Sequence, residues 1–204
     1  MKKCRSRLTN RDLSQRITPV RGHGLGGFSL IELIICLMLL SILVGFAVPR
    51  YKAYLERKDL AEAKQQVLRI SSELERFKAR NYSYQGFDLA DIYPSYDAAN
   101  NQLLLPLGQP ADAANYVITL LDFESKQKLN LSVDPSTAGS GRHSPVTGLD
   151  WIMKVERSRN NNGEIKQPNN YDLLISSKGM RCMTKTANVV SSLNDCGTIL
   201  SEPW

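Results

Sequence analysis

Residues 28–48 contain a single formal charge, Glu32, in a run that is otherwise apolar or small. Twenty-one residues rising about 1.5 Å each reach roughly 31 Å, the thickness of a bilayer core, so the run predicts a membrane-spanning helix. A carboxylate inside such a span is costly, which marks Glu32 as a functional candidate. Beyond Val48 the pattern changes period and continues. Leu60, Ala63, Val67, Ile70, Leu74 and Phe77 recur at steps of three and four, with Glu56, Arg57, Lys58, Glu62, Lys64, Glu73, Glu75 and Arg76 between them. That is one apolar stripe on an amphipathic helix. The spacing predicts a single helix through Pro49 to about Arg80, with Asn81 and Gly86 as stop and turn signals. Pro49 removes a backbone hydrogen bond, and a kink is expected there.

After the helix, residues 81–115 read as a connection broken by Pro, Gly and Asn, with Leu103–Leu105 as a short buried piece. Residues 116–121 and 128–133 flank the polar turn 122–127 and predict an antiparallel hairpin, the second run alternating through Leu129, Leu131 and Val133. Residues 135–148 and 157–170 are polar loops. Residues 149–155 fit a strand better than a helical turn, and 171–176 form another strand. The fold class is α+β, a long N-terminal helix packed by its second half on an antiparallel sheet of about four strands.

Charge separates the two ends of the chain. Of 26 Lys/Arg and 20 Asp/Glu, residues 1–27 hold seven and one, so residues 28–204 are balanced at nineteen each. The excess reads as a positive-inside signal that places residues 1–27 in the cytoplasm and the C-terminal part outside. A weaker basic bias (Arg142, Lys154, Arg157, Arg159, Lys166, Lys178, Arg181 and Lys185 against Asp150, Glu156, Glu164 and Asp172) reads as a solvated surface, with DNA binding as the alternative. Asp88, Asp91 and Asp97 lack EF-hand spacing, and ordinary loop acids are the simpler reading beside a calcium site. His143 is the one histidine beyond residue 27, and no phosphate loop or nucleophile motif is present, so no enzyme, catalytic residue, metal or cofactor is expected.

The basic leader, Gly26-Gly27-Phe28-Ser29-Leu30-Ile31-Glu32-Leu33, the unbroken apolar run and the trio Pro49, Tyr51 and Tyr54 together resemble the N-terminus of type IV pilins, the class III signal peptide. The resemblance covers residues 22–54, about a sixth of the chain. It implies that a prepilin peptidase cuts between Gly27 and Phe28 and methylates the new amine of Phe28. It also implies that Glu32 neutralises that amine in its own chain or a neighbouring one during assembly.

The parts would then be a cleaved leader (1–27), a transmembrane and assembly helix (28–48), its amphipathic continuation (49–80), a connecting loop (81–115), and a sheet with a C-terminal disulfide loop (116–204). Cys4 leaves with the leader, and Cys36 serves as a small apolar residue of the span. Cys182 and Cys196 are the implied disulfide, since a metal site there would lack companion ligands. Implied partners are the prepilin peptidase, other pilin subunits, the inner-membrane assembly machinery and inner-membrane lipid. The expected setting is the inner membrane before assembly and an extracellular fimbrium afterwards, serving cell adhesion or twitching motility. The polar loops 135–148 and 157–170 favour a minor subunit. A pseudopilin of a type II secretion system and a DNA-binding pilin for DNA uptake are the alternatives.

Overall fold

A computed structural model of the chain describes residues 29–131, 146–198 and 200–204. The chain divides into two compact units, Met1–Gly45 and Phe46–Trp204. One helix, α1 (Leu30–Asn81, 52 residues), runs through the boundary and through Pro49.

In the first unit, α1 is apolar on every side. Leu30, Ile31, Leu33, Ile34, Ile35, Leu37, Met38, Leu39, Leu40, Ile42 and Leu43 are all about half exposed or more. The most apolar eighteen-residue window of the helix has a mean hydropathy of 2.8 with none of it buried. A helix apolar all round belongs in lipid or among other apolar helices.

In the second unit, α1 changes character at Asp59. Asp59, Ala63, Val67, Ile70 and Leu74 are its buried residues, and Leu60 and Phe77 pack at the margin of the same core. This is the stripe predicted from the three-and-four spacing. Against it lies a six-stranded antiparallel sheet in sequence order: β1 (Leu103–Leu105), β2 (Tyr116–Asp122), β3 (Trp151–Arg157), β4 (Asp172–Ser176), β5 (Arg181–Thr184) and β6 (Ser201–Pro203). Every strand pairs with the next, so the sheet is a meander. Successive side chains alternate faces. Leu103, Leu105, Tyr116, Ile118, Leu120, Trp151, Met153, Val155, Leu173 and Ile175 join the α1 stripe in the main core. Ile152 and Leu174 point the other way, into a second apolar cluster with Val190, Leu193 and Cys196.

Three expectations change. The sheet has six strands rather than about four, because β1 lies inside the stretch read as a connecting loop and β5 and β6 are short. The expected second hairpin strand is not one: residues 128–131 are turn and irregular backbone, and the remainder of 128–133 lies outside the described residues. Both edges of β2 are already occupied, by β1 and β3. The alternating leucines instead place Leu129 in the main core, while the Leu129 carbonyl accepts from the Gly86 N–H at 2.8 Å. Finally, the polar stretch 157–170 is docked on the unit. Gln167 Nε2 donates to Asp59 at 2.6 Å, Asn170 Nδ2 donates to the Glu56 carbonyl at 2.7 Å, and Asn115 Nδ2 completes the acceptance at Asp59 at 3.0 Å. A buried carboxylate on α1 is thereby supplied with amide donors from two connections.

Candidate functional site

The described chain starts at Ser29, so the cleavage junction Gly27–Phe28 and the amine of Phe28 lie outside the described residues. Glu32 sits in the first turn of α1, exposed among apolar neighbours, with its N–H and that of Leu33 closing on the Ser29 carbonyl at 3.0 and 3.2 Å. The first turn carries the unsatisfied N–H groups and the positive end of the helix dipole, which favours a carboxylate there. Among the described residues Glu32 has no ion-pair partner, so its charge faces outward from an otherwise apolar rod. Pro49 lies inside α1 without ending it. Cys36 is free and exposed.

Cys182 and Cys196 are joined in a disulfide, with Cα atoms 6.0 Å apart. Cys182 lies on β5 opposite Leu174, pointing away from α1. Cys196 is buried beside Val190 and Leu193. The bond therefore fastens the segment after β5 across the face of the sheet that α1 leaves uncovered. Lys126 Nζ reinforces the cover by donating to the Leu193 carbonyl at 3.4 Å, and Lys126 and Lys178 stand over the Phe123 ring at 4.4 and 3.9 Å.

Of the acids weighed for calcium, Asp88 and Asp97 have separate partners, and Asp91 ends the short 3₁₀ turn Leu89–Asp91. Asp88 caps a short 3₁₀ turn through the Ala90 N–H and accepts from Asn130 at 2.7 Å. Asp97 accepts from Ala99 and Asn100, and the Asn100 contacts lead in holding its carboxyl below the ordinary range. Nearby, burial, with Asp88 and Asp97 adding, pushes the Tyr96 hydroxyl up to about 12. Among the described residues no group of three or more His, Cys, Asp or Glu is gathered as metal ligands would be.

The basic residues of the C-terminal half are also largely engaged within the chain. Arg157 is buried and grips Asp172 from Nε at 2.9 Å and from Nη2 at 3.2 Å. Its remaining donors reach the carbonyls of Pro168, Asn170 and Lys185. Lys154 pairs with Glu156 at 2.7 Å, and Lys178 with Glu124 at 2.9 Å. Lys166 donates to the Ala114 carbonyl at 2.7 Å, and Lys185 lies over the Tyr171 ring. Arg142 lies outside the described residues.

One buried carboxylate had no distinguishing sequence signal. Asp122, at the end of β2, is fully buried. It accepts from the Ser125 N–H and hydroxyl at 2.8 Å each, from Thr147 Oγ1 at 3.0 Å and from the Gly148 N–H at 2.9 Å. Burial pushes its pKa up, but the four donors outweigh burial and hold the carboxyl below the ordinary range. Comparison of the chain with family models, curated proteins and solved structures finds no significant match.

Proposed function

We propose that this chain is the precursor of a type IV pilus subunit. It is a single-pass inner-membrane protein, cut between Gly27 and Phe28 by a prepilin peptidase, methylated at Phe28 and polymerised into a surface filament. The observation that carries the reading is α1 itself. One uninterrupted helix begins with an exposed apolar stretch bearing a lone carboxylate in its first turn, and continues as a stripe buried under a sheet. Lipid and neighbouring apolar helices are similar solvents, so such a stretch can leave the bilayer for a helical filament core without a large change in apolar solvation. A charge in that core is tolerable when paired, and an incoming subunit offering the amine of Phe28 to Glu32 supplies the pair and sets the register.

The Cys182–Cys196 disulfide supports a pilus subunit over a secretion pseudopilin, a group the resemblance associates more with calcium than with a terminal disulfide. The intrachain engagement of Arg157, Lys154, Lys166 and Lys178 gives the DNA-binding reading little support. Docking of residues 157–170 removes one of the two reasons for a minor subunit, and residues 135–148 alone remain.

Mass spectrometry of sheared surface filaments tests the proposal. The expected result is this chain beginning at N-methylated Phe28, its stoichiometry separating minor from main subunit. Glu32→Ala is expected to leave cleavage intact and reduce filament incorporation. A functional protein that retains Met1, or a Glu32→Ala strain with normal incorporation, would overturn the respective step.

A further inference from the structure

The apolar run of α1 gives way to a mixed stretch rather than to an ordinary polar surface. Residues 46–58 hold Arg50, Lys52, Arg57 and Lys58 against one acid, Glu56, with Tyr51 and Tyr54 set among them. Arg50, Lys52 and Arg57 are exposed, and none of the three has a hydrogen-bond or ion-pair partner among the described residues. Phe46, Val48, Tyr51 and Tyr54 are exposed as well. Ala47, Val48, Tyr51, Lys52 and Leu55 line an open groove along the helix. Its lining is apolar throughout, so Lys52 contributes its methylene stem and holds its ammonium outside. The sheet leaves this stretch bare, since the buried residues of α1 begin at Asp59.

Rise along the helix sorts these charges. Arg50 and Lys52 stand about 3 and 6 Å beyond Val48, and Arg57 about 13 Å beyond it. The headgroup layer on either side of a bilayer core is roughly 5–8 Å thick. A span ending at Val48 therefore puts Arg50, Tyr51 and Lys52 in that layer and Arg57 past it. Tyrosine at that level is an ordinary interfacial anchor, but basic residues directly outside a span oppose the charge rule that orients it. They need a local counterion, and among the described residues the chain supplies none. At about 100° per residue, Arg50 and Lys52 point to nearly opposite sides of α1, so each meets a neighbour of its own. An anion held beside a groove that fits a hydrocarbon chain describes one kind of molecule. We infer that Arg50 and Lys52 bind the phosphates of anionic phospholipids in the outer leaflet, with an acyl chain in the groove beside Lys52. The inference rests on the proposed membrane span and names the lipid class that meets its outer end.

Site-resolved photocrosslinking tests the inference on the full chain in phosphatidylcholine vesicles, with photoactivatable phosphatidylglycerol or phosphatidylcholine as the probe. Mass spectrometry locates the adducts, which separates residues 46–58 from the basic residues within 1–27. At 46–58 the anionic probe is expected to give about five times the yield of the neutral one, the effect of one basic residue at an anionic surface. Arg50→Gln with Lys52→Gln should abolish that preference and leave thermal unfolding unchanged, since both positions are exposed. Arg50→Lys with Lys52→Arg keeps the charges and should keep the preference, and Arg57→Gln should not alter it. Adducts from neither probe within residues 28–58 would overturn the span and the inference together. Equal yields at 46–58, a preference that survives the double Gln variant, or an equal loss in Arg57→Gln would overturn the inference alone. A double Gln variant that keeps the preference but enters filaments poorly would also overturn it, assigning the two charges to a neighbouring copy of the chain.

Discussion

Replacing Asp122 is expected to loosen the second unit more than any surface acid would. Its carboxylate closes the turn after β2 through Ser125 and holds Thr147 and Gly148 beside it. The Gly148 carbonyl in turn accepts from the Tyr84 N–H at 2.8 Å, which fixes the chain just past the end of α1. Hydrogen bonds to a charged acceptor contribute about 1.5–3 kcal/mol each, but donors that regain water recover most of that. Thr147 is exposed and Ser125 is half-buried, so their hydroxyls recover; the Gly148 N–H is buried and does not. Asp122→Ala is therefore expected to cost about 3 kcal/mol. Asp122→Asn keeps one oxygen but turns an NH₂ toward the Ser125 N–H, and about 2 kcal/mol is expected. For a domain of this size those losses lower the unfolding midpoint by about 9 and 6 °C.

Both tryptophans, Trp151 and Trp204, lie in this unit, so their fluorescence in the detergent-solubilised chain follows its unfolding. The pH dependence provides an independent check. The folded carboxyl titrates below the unfolded one, so on acidification the unfolded chain takes up the proton first. The contribution is fully present above the unfolded value of about 3.9 and is lost as pH falls through the depressed folded value. The stability gap between wild type and Asp122→Asn should accordingly be constant at neutral pH and close in acid. A gap under about 0.5 kcal/mol at pH 7, or one that persists unchanged through the acid range, would refute the reasoning.

Other substitutions test neighbouring parts of the same framework. Gly148→Ala would bring a Cβ to 2.4 Å from Ser83 Oγ and 2.7 Å from the Gln85 nitrogen, at a φ of +61°; a loss of about 2 kcal/mol or more in denaturant unfolding is expected. Replacing Cys182 and Cys196 together by Ser opens a loop spanning a separation of 14 residues. About 3 kcal/mol should be lost, and proteolysis should cut first in residues 185–196, since the second apolar cluster loses its fastening. Arg157→Met leaves Asp172 buried without its partner and should cost about 3–5 kcal/mol. Restoring neutrality with Asp172→Leu in the same chain should recover most of that, and a double variant no better than the single one would count against the buried pair.

The long helix and its buried stripe were legible because both follow from spacing alone. Ala63, Val67, Ile70 and Leu74 are fully buried, and periodicity places such residues on one face whatever packs against them. The sheet was less legible, for reasons tied to particular strands. β1 and β6 have three residues each and β5 has four, too few for alternation to stand out from a loop. β4 was legible all the same, as the run 171–176: all five of its positions are buried, Asp172 and Ser176 included, so it stood out as a short strand between polar stretches without period-2 contrast. Residues 128–133 show the opposite error: Leu129, Leu131 and Val133 alternate, yet pairing is decided by which edges are free, and β2 has none to offer.

The polar positions carried the least local signal, because their partners are far away in sequence. Gln167 and Asn170 look like loop residues until the Asp59 carboxylate and the Glu56 carbonyl, each more than a hundred positions earlier on α1, are found to accept from them. Arg157 looks like surface charge until Asp172 meets it. In both cases a charged group has been buried and its cost offset by a full set of hydrogen bonds, so the Asn-rich connection is fastened to the helix at one side and to the sheet at the other. Residues 157–170 are therefore a fastened segment rather than a free polar loop. A segment held by Asp59, Glu56 and Arg157 presents a defined surface, and a defined surface is compatible with subunits repeated many times.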